Sequence, residues 1–201
     1  MGKIAVKRKP AEERKAEIVE ATIRLAADIG PDRLTTDHLA KEIGISQAAI
    51  FRHFSTKSDI WEAVGQKICE LLGTVPDSPT DAHTYTARLR SMVGGQLKFI
   101  SRTPAVPAIL FSRELHAENE TLRLFFVKMM GQRQAKLADI IQSGKDAGEF
   151  SEALDPNDAS YLILSLIQGL AMRWSLNGRD FDLAAEGERL FTLLLKSFSV
   201  Q

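Results

Sequence analysis

With 201 residues, 44% of them hydrophobic, and only modest glycine and proline, the chain can bury a substantial core as one large or two small domains, and a disordered or fibrous class is excluded. Its 26 basic and 26 acidic residues cancel, so it lacks the global basic field of many nucleic-acid binders, and any such role must rest on local charge segregation. Cys69 is the sole cysteine, which excludes an internal disulfide and a cysteine metal site and points to a reducing compartment.

The first fifteen residues hold six bases against two acids, so the arm at 1–9 and the segment after it carry most of the charge asymmetry. Such an arm suits a solvated terminus and phosphate contacts equally well. Residues 10–29 place Ile18, Ala21, Thr22, Leu25 and Ala26 on one helical face, with Glu and Arg opposite, and Gly30-Pro31 stops the pattern. No apolar signal core follows the basic start, and no run reaches the ~18 apolar residues of a membrane span.

The segment 35–54, TTDHLAKEIGISQAAIFRHF, is the most informative. Thr35 can cap a helix to Ile43, in which Leu39 and Ile43 form a stripe beside the small Ala40. Gly44 suits the positive φ that ends a helix, Ile45 plugs the corner, Ser46 can cap a second helix to about Phe51, and Ile50 faces back. This is a helix-turn-helix pattern, which places its second helix in a DNA major groove. Ordinary helical hairpins use similar residues, so the flanks carry weight.

Thr56 with Asp59 three residues on signals the cap of a fourth helix over 57–72, and 73–79 reads as a linker. Beyond it the spacing predicts helices over 80–102, 108–115, 119–145, 156–176 and 182–199, the fourth opened by Asp155-Pro156 and closed at Asn177-Gly178. No strand, repeat or low-complexity tract interrupts them. The expected class is all-α, about nine helices: a DNA-binding helix-turn-helix domain at 1–56 and a ligand-binding and dimerisation bundle at 57–201.

The stretch 18–61 resembles the tetracycline-repressor family of transcriptional regulators. The resemblance rests on Gly30, Leu34-Thr35-Thr36, the run Leu39-Ala40-Lys41-Glu42-Ile43-Gly44-Ile45-Ser46, then Ile50-Phe51-Arg52-His53-Phe54 and Thr56-Lys57. It covers about a quarter of the chain; the bundle is similar in length and layout only. Two departures are Phe51, where many relatives carry a tyrosine whose hydroxyl reaches a phosphate, and Ala48-Ala49, where lysine or glycine is common.

The resemblance implies a homodimer that binds a palindromic double-stranded DNA operator. Gln47, whose amide can pair both ways with adenine, is the expected base reader, with Ser46 and Ala48 as minor ones. His53 and Lys57, and Thr35 or Thr36, are expected at phosphates, Lys57 helped by its helix N-terminus. Arg52 suits a base or a phosphate, Thr35 also a cap, and His53 also a packed position between Phe51 and Phe54; both phenylalanines are expected in the core, although Phe51 belongs to the DNA-binding set by its place in the motif.

The resemblance also implies a small-molecule cavity and a dimer face in the bundle. Met92, Gln96, Phe99, Phe111, Phe125, Met129, Gln168, Met172 and Trp174 are candidates for the cavity, each with core packing as the alternative, while Arg113 and His116 suit orienting an anionic or polar ligand and a surface position equally. Leu162, Leu166, Gly169 and Leu170, with Phe191, Leu194 and Leu195, are candidates for the dimer face, with the chain's own core as the alternative that some of them must take. No cofactor or metal is expected, since the four histidines are scattered and no nucleophile elbow or phosphate loop occurs. The reading is a cytoplasmic repressor, nucleoid-associated when DNA-bound, that a small hydrophobic or amphipathic effector releases from its operator. The alternative is an architectural or cell-division-related DNA binder with no inducer.

Overall fold

The computed structural model describes residues 10–74 and 83–199. The basic arm at 1–9 and most of the 73–79 linker lie outside the described residues. Within them the chain forms ten α-helices, with one isolated bridge between Phe150 and Ser199.

Local chemistry sets the first four. α1 (Ala11–Ile29) ends at Gly30, and α2 (Thr36–Ile43) opens with a reciprocal cap: the Thr35 hydroxyl accepts from the His38 N–H at 3.2 Å, and the Thr35 N–H donates to His38 Nδ1 at 3.3 Å. α3 (Gln47–Phe51) is capped by Ser46, and α4 (Lys57–Gly73) repeats the reciprocal cap with Thr56 and Asp59. Ile18, Leu34, Leu39, Ile50, Ile60, Trp61 and Val64 are fully buried together. The same cluster takes in Ala105, Ile109, Leu115, Leu122 and Phe126, so the core of the amino-terminal unit continues into the bundle.

The bundle is α5 (Tyr85–Arg102), α6 (Ala105–Leu110), α7 (Arg113–Glu118), α8 (Glu120–Asp146), α9 (Pro156–Leu176) and α10 (Leu183–Lys196). The single helix expected over 108–115 is two. α6 starts earlier because Pro107 sits in a first turn, where no N–H partner is needed, and Ser112 restarts the chain as α7 by accepting from the Leu115 N–H at 3.0 Å. α5 begins at Tyr85, capped by Thr84, whose hydroxyl accepts from the Ala87 N–H at 3.1 Å; the expected start at 80 lies outside the described residues. A second core cluster unites α5, α8, α9 and α10 around Leu97, Ile141, Ile163 and Phe191. α10 lies against α5 where Gly187 meets the Leu97 side chain: a Cβ there would overlap Leu97 Cδ1.

Candidate nucleic-acid interface and effector cavity

The turn between α2 and α3 is built as its residues require. Gly44 takes φ 69°, its N–H donates to the Ala40 and Lys41 carbonyls, and the Ile45 N–H returns to the Ala40 carbonyl at 3.0 Å. Ala49 and Ile50 face inward, leaving Ser46, Gln47, Ala48, Phe51 and Arg52 exposed on a short helix. The Ser46 hydroxyl accepts from the Ala49 N–H at 3.2 Å, and Gln47 Nε2 donates to the Thr36 hydroxyl at 2.7 Å, tying the two helices together at the surface.

Thr35 is exposed and caps α2, Lys57 is the half-buried first residue of α4, and His53 is half-buried beside Phe54 in a groove between α1 and α4. Phe51 departs from expectation. It is 44% exposed, whereas Phe54 is buried, because Phe51 falls four residues after Gln47 and shares its outward face. The ring is therefore part of the surface that α3 presents.

Between α4, α5, α6, α8 and α9 lies an apolar cavity of about 230 Å³. Gln96, Phe99, Phe111, Met129 and Gln168 line it. Met92 instead lies in the packed core, with its carbonyl accepting from Arg133 at 3.2 Å, and Phe125 packs against Gly65 of α4. Met172 is on the outer face of α9, and Trp174 is a core residue whose Nε1–H donates to the Phe181 carbonyl at 3.0 Å. Arg113 and His116 border a separate surface groove that shares only Leu110 and Phe111 with the cavity; His116 Nε2 lies 3.1 Å from the Leu110 carbonyl.

Several lining residues were not foreseen. Ile68, Cys69 and Leu72 bring the carboxy-terminal half of α4 to the cavity, and Arg133 and Lys136 bring positive charge from α8. Arg133 was detectable in principle, one helical turn after Met129 on the same face. Its Nε donates to Gln96 Oε1 at 3.2 Å, which holds the guanidinium at the cavity wall.

α4 joins the two regions. Lys57 begins it next to the α2–α3 unit, and Leu72, fifteen residues on and therefore ~22 Å along the axis, touches the cavity. Three polar ties accompany it: the Ser112 hydroxyl donates to Asp32, the Ser58 hydroxyl donates to Asn119, and Arg179 Nη2 donates to the Ala27 carbonyl at 2.7 Å. Arg179 holds this last bond from a left-handed backbone, φ 68°, an uncommon conformation outside glycine.

The outer face of α9 is apolar and uncovered in the single chain: Leu162 is 52% and Leu176 78% exposed, with Tyr161 and Met172 alongside, and Leu193 is exposed on α10. Of the residues expected at a dimer face, Leu162 and Gly169 are exposed and Leu166 and Leu194 half-buried. Leu170, Phe191 and Leu195 are buried in the chain's own core and are not available to a partner, because α9 and α10 pack those faces on α8 and α5. On α10 the hydrogen bond from Arg189 holds the Glu186 carboxyl below its ordinary range and raises the guanidinium in turn. No helix among the described residues is long and apolar enough to cross a membrane.

Two family profiles match. That of the bacterial regulatory proteins, tetR family, covers residues 18–64, and that of the YsiA-like protein C-terminal region covers 64–197. Nucleoid occlusion factor SlmA of Vibrio cholerae serotype O1 is 30% identical over 163 residues, 80% of this chain and 83% of its own. The fold matches that of the transcriptional regulator FadR from Bacillus subtilis, solved in complex with stearoyl-CoA, at TM-score 0.76 and 21% identity over 91% of this chain and 98% of that one. It also matches a putative regulator from Saccharomonospora viridis, in complex with choline, at TM-score 0.80 and 20% identity over 94% of this chain and 100% of that one. The helix-turn-helix, the bundle behind it and both profiles place this chain in the tetR family of bacterial transcriptional regulators.

Proposed function

We propose that the chain is a homodimeric, cytoplasmic repressor, with no catalytic role, that an amphipathic effector releases from a palindromic operator. The observation that carries this is the single helix α4, which opens beside the recognition helix with Lys57 and closes against the apolar cavity with Ile68, Cys69 and Leu72. The domain division follows it: 1–56 contacts DNA, and 57–201 binds effector and partner. Gln47 reads bases, with Ser46, Ala48, Phe51 and Arg52 beside it on the exposed face, and Thr35, Thr36, His53 and Lys57 set the register on phosphates.

The apolar lining with Arg133 and Lys136 at one side suits a ligand with a hydrocarbon body and an anionic head. The stearoyl-CoA of the FadR structure is a ligand of that kind. At about 230 Å³ the cavity lies below the ~300–1,000 Å³ of ordinary ligand sites, and α4 is one of the walls that a larger occupant would press on. Differential affinity of this sort typically amounts to about 1–3 kcal/mol of coupling.

A second reading, a DNA binder that acts in chromosome organisation without an inducer, draws support from the SlmA relatives. The test is to select duplexes from a random pool, then titrate the complex with stearoyl-CoA and shorter acyl-CoA thioesters while native mass spectrometry reports stoichiometry. The repressor reading expects a dimer on a palindrome and at least fivefold weaker DNA binding when an acyl-CoA occupies the cavity. Binding to DNA with no compound bound and no release favours the second reading, and absence of sequence selection overturns the first.

A further inference from the structure

We propose that Thr36, on α2, is the positioning residue that sets the Gln47 amide for base reading, so that specificity resides in a pair of residues on two helices. The inference rests on the DNA-binding reading above and goes beyond it in assigning the hydroxyl a role that acts through another side chain. Gln47 is exposed on α3, and a glutamine there has three side-chain torsions, the last of them broad. Left alone it would present its amide in many orientations, in some of which the acceptor and donor exchange places. A guanine edge offers two acceptors where an adenine edge offers an acceptor and a donor, so the orientation of the amide decides which base it accepts.

Thr36 removes that freedom. Gln47 Nε2 donates to the Thr36 hydroxyl at 2.7 Å, across eleven residues of sequence and between the two helices of the motif. One amide N–H is thereby engaged, and Oε1 with the second N–H remains: the acceptor and donor that adenine requires. The threonine oxygen accepts this bond and keeps its own O–H to donate, so contact with a backbone phosphate and orientation of Gln47 are compatible in one residue.

The frame holding the pair is rigid. Thr36 is the first residue of α2, whose Leu39 and Ala40 are buried; Gln47 is the first residue of α3, whose Ala49 and Ile50 are buried. The left-handed Gly44 fixes the angle between the helices. Neither side chain depends on the other for folding, because Thr35 and Ser46, not Thr36 and Gln47, supply the caps.

The test compares wild type, Thr36→Val, Thr36→Ser, Gln47→Ala and the Thr36→Val/Gln47→Ala double variant on duplexes that the wild type selects from a random pool, with every base pair of the half-site changed in turn. Gln47→Ala locates the base pair that Gln47 reads. At that pair Thr36→Val is expected to reduce the preference by roughly three- to tenfold, the worth of one neutral hydrogen bond, while Thr36→Ser stays within about twofold of wild type. In the Gln47→Ala background Thr36→Val should add no further loss of preference there. Melting temperatures are read in parallel, and the Thr36→Ser rescue separates a positioning role from general damage. Full preference retained in Thr36→Val, or an equal loss with and without Gln47, overturns the proposal while leaving the regulator reading intact. If Gln47→Ala changes no preference the proposal fails as well, and a wild type that selects no sequence removes both.

Discussion

Filling the effector cavity should strengthen the fold and silence the response together. Ala171 of α9 is buried and lines the cavity, so Ala171→Leu projects three further carbons into the cavity. At ~0.8 kcal/mol per buried CH₂ the transfer gain is at most about 2.4 kcal/mol, and ordering the leucine side chain costs about 0.5–1 kcal/mol. A net stabilisation of at most about 1.4–1.9 kcal/mol follows, which in a chain of this length raises Tm by up to roughly 3–8 °C. The operator affinity of the free protein should stay within about twofold, because Ala171 belongs to the bundle cluster and not to the one that holds α2 and α3. The compound that releases the wild type should need at least tenfold higher concentration, since the leucine occupies volume that the ligand requires. Calorimetry gives the first quantity, and fluorescence anisotropy on labelled operator, titrated with effector, gives the second. A variant that melts higher yet releases DNA at the wild-type effector concentration would refute the assignment of this cavity to the effector.

Four further predictions concern the surfaces. Gln47→Ala should cost about 1–3 kcal/mol on the preferred operator and little on random DNA; equal loss on both would remove Gln47 as reader. Lys57→Ala should weaken all sequences alike and lower the slope of log affinity against log salt by about one, whereas an unchanged slope would take Lys57 off the phosphate list. Phe51→Tyr adds a hydroxyl to a ring already 44% exposed, so it should leave Tm unchanged and tighten binding by about 0.5–1.5 kcal/mol on any sequence; a fall in Tm would show that the ring is packed. Leu162→Glu, on the uncovered face of α9, should convert dimer to monomer in sedimentation equilibrium and lower operator affinity, with the monomer still folded by circular dichroism.

The parts of the fold legible in the sequence are those written within a few residues. Thr35 with His38, Gly44, Ser46, and Thr56 with Asp59 each satisfy backbone groups within one turn, so α2, α3, their connecting angle and the start of α4 follow from local hydrogen bonding and one left-handed glycine. Asp155 with Pro156 and Asp182 mark α9 and α10 for the same reason. The division of 108–115 between two helices was less accessible: Pro107 can begin or end a helix, and Ser112 becomes a cap only once the chain turns there.

Which face of an apolar helix is inside was decided by tertiary packing. α9 carries apolar residues nearly all round, so periodicity could not say that Leu170 and Trp174 would be core while Leu162, Met172 and Leu176 faced out; contact with α8 and α10 settled it. The same holds for Phe51 and Phe54, three residues apart and chemically identical, of which only Phe54 meets the core beneath α3. The cavity is the extreme case, since five helices from distant parts of the sequence enclose it and Arg133 joins it through Gln96, thirty-seven residues away. Caps and turns are local agreements between neighbouring residues, so the amino-acid sequence by itself determined the reading head. An interior surface is a property of assembled helices, and only the tertiary structure could decide where the cavity lies and which leucines remain for a partner.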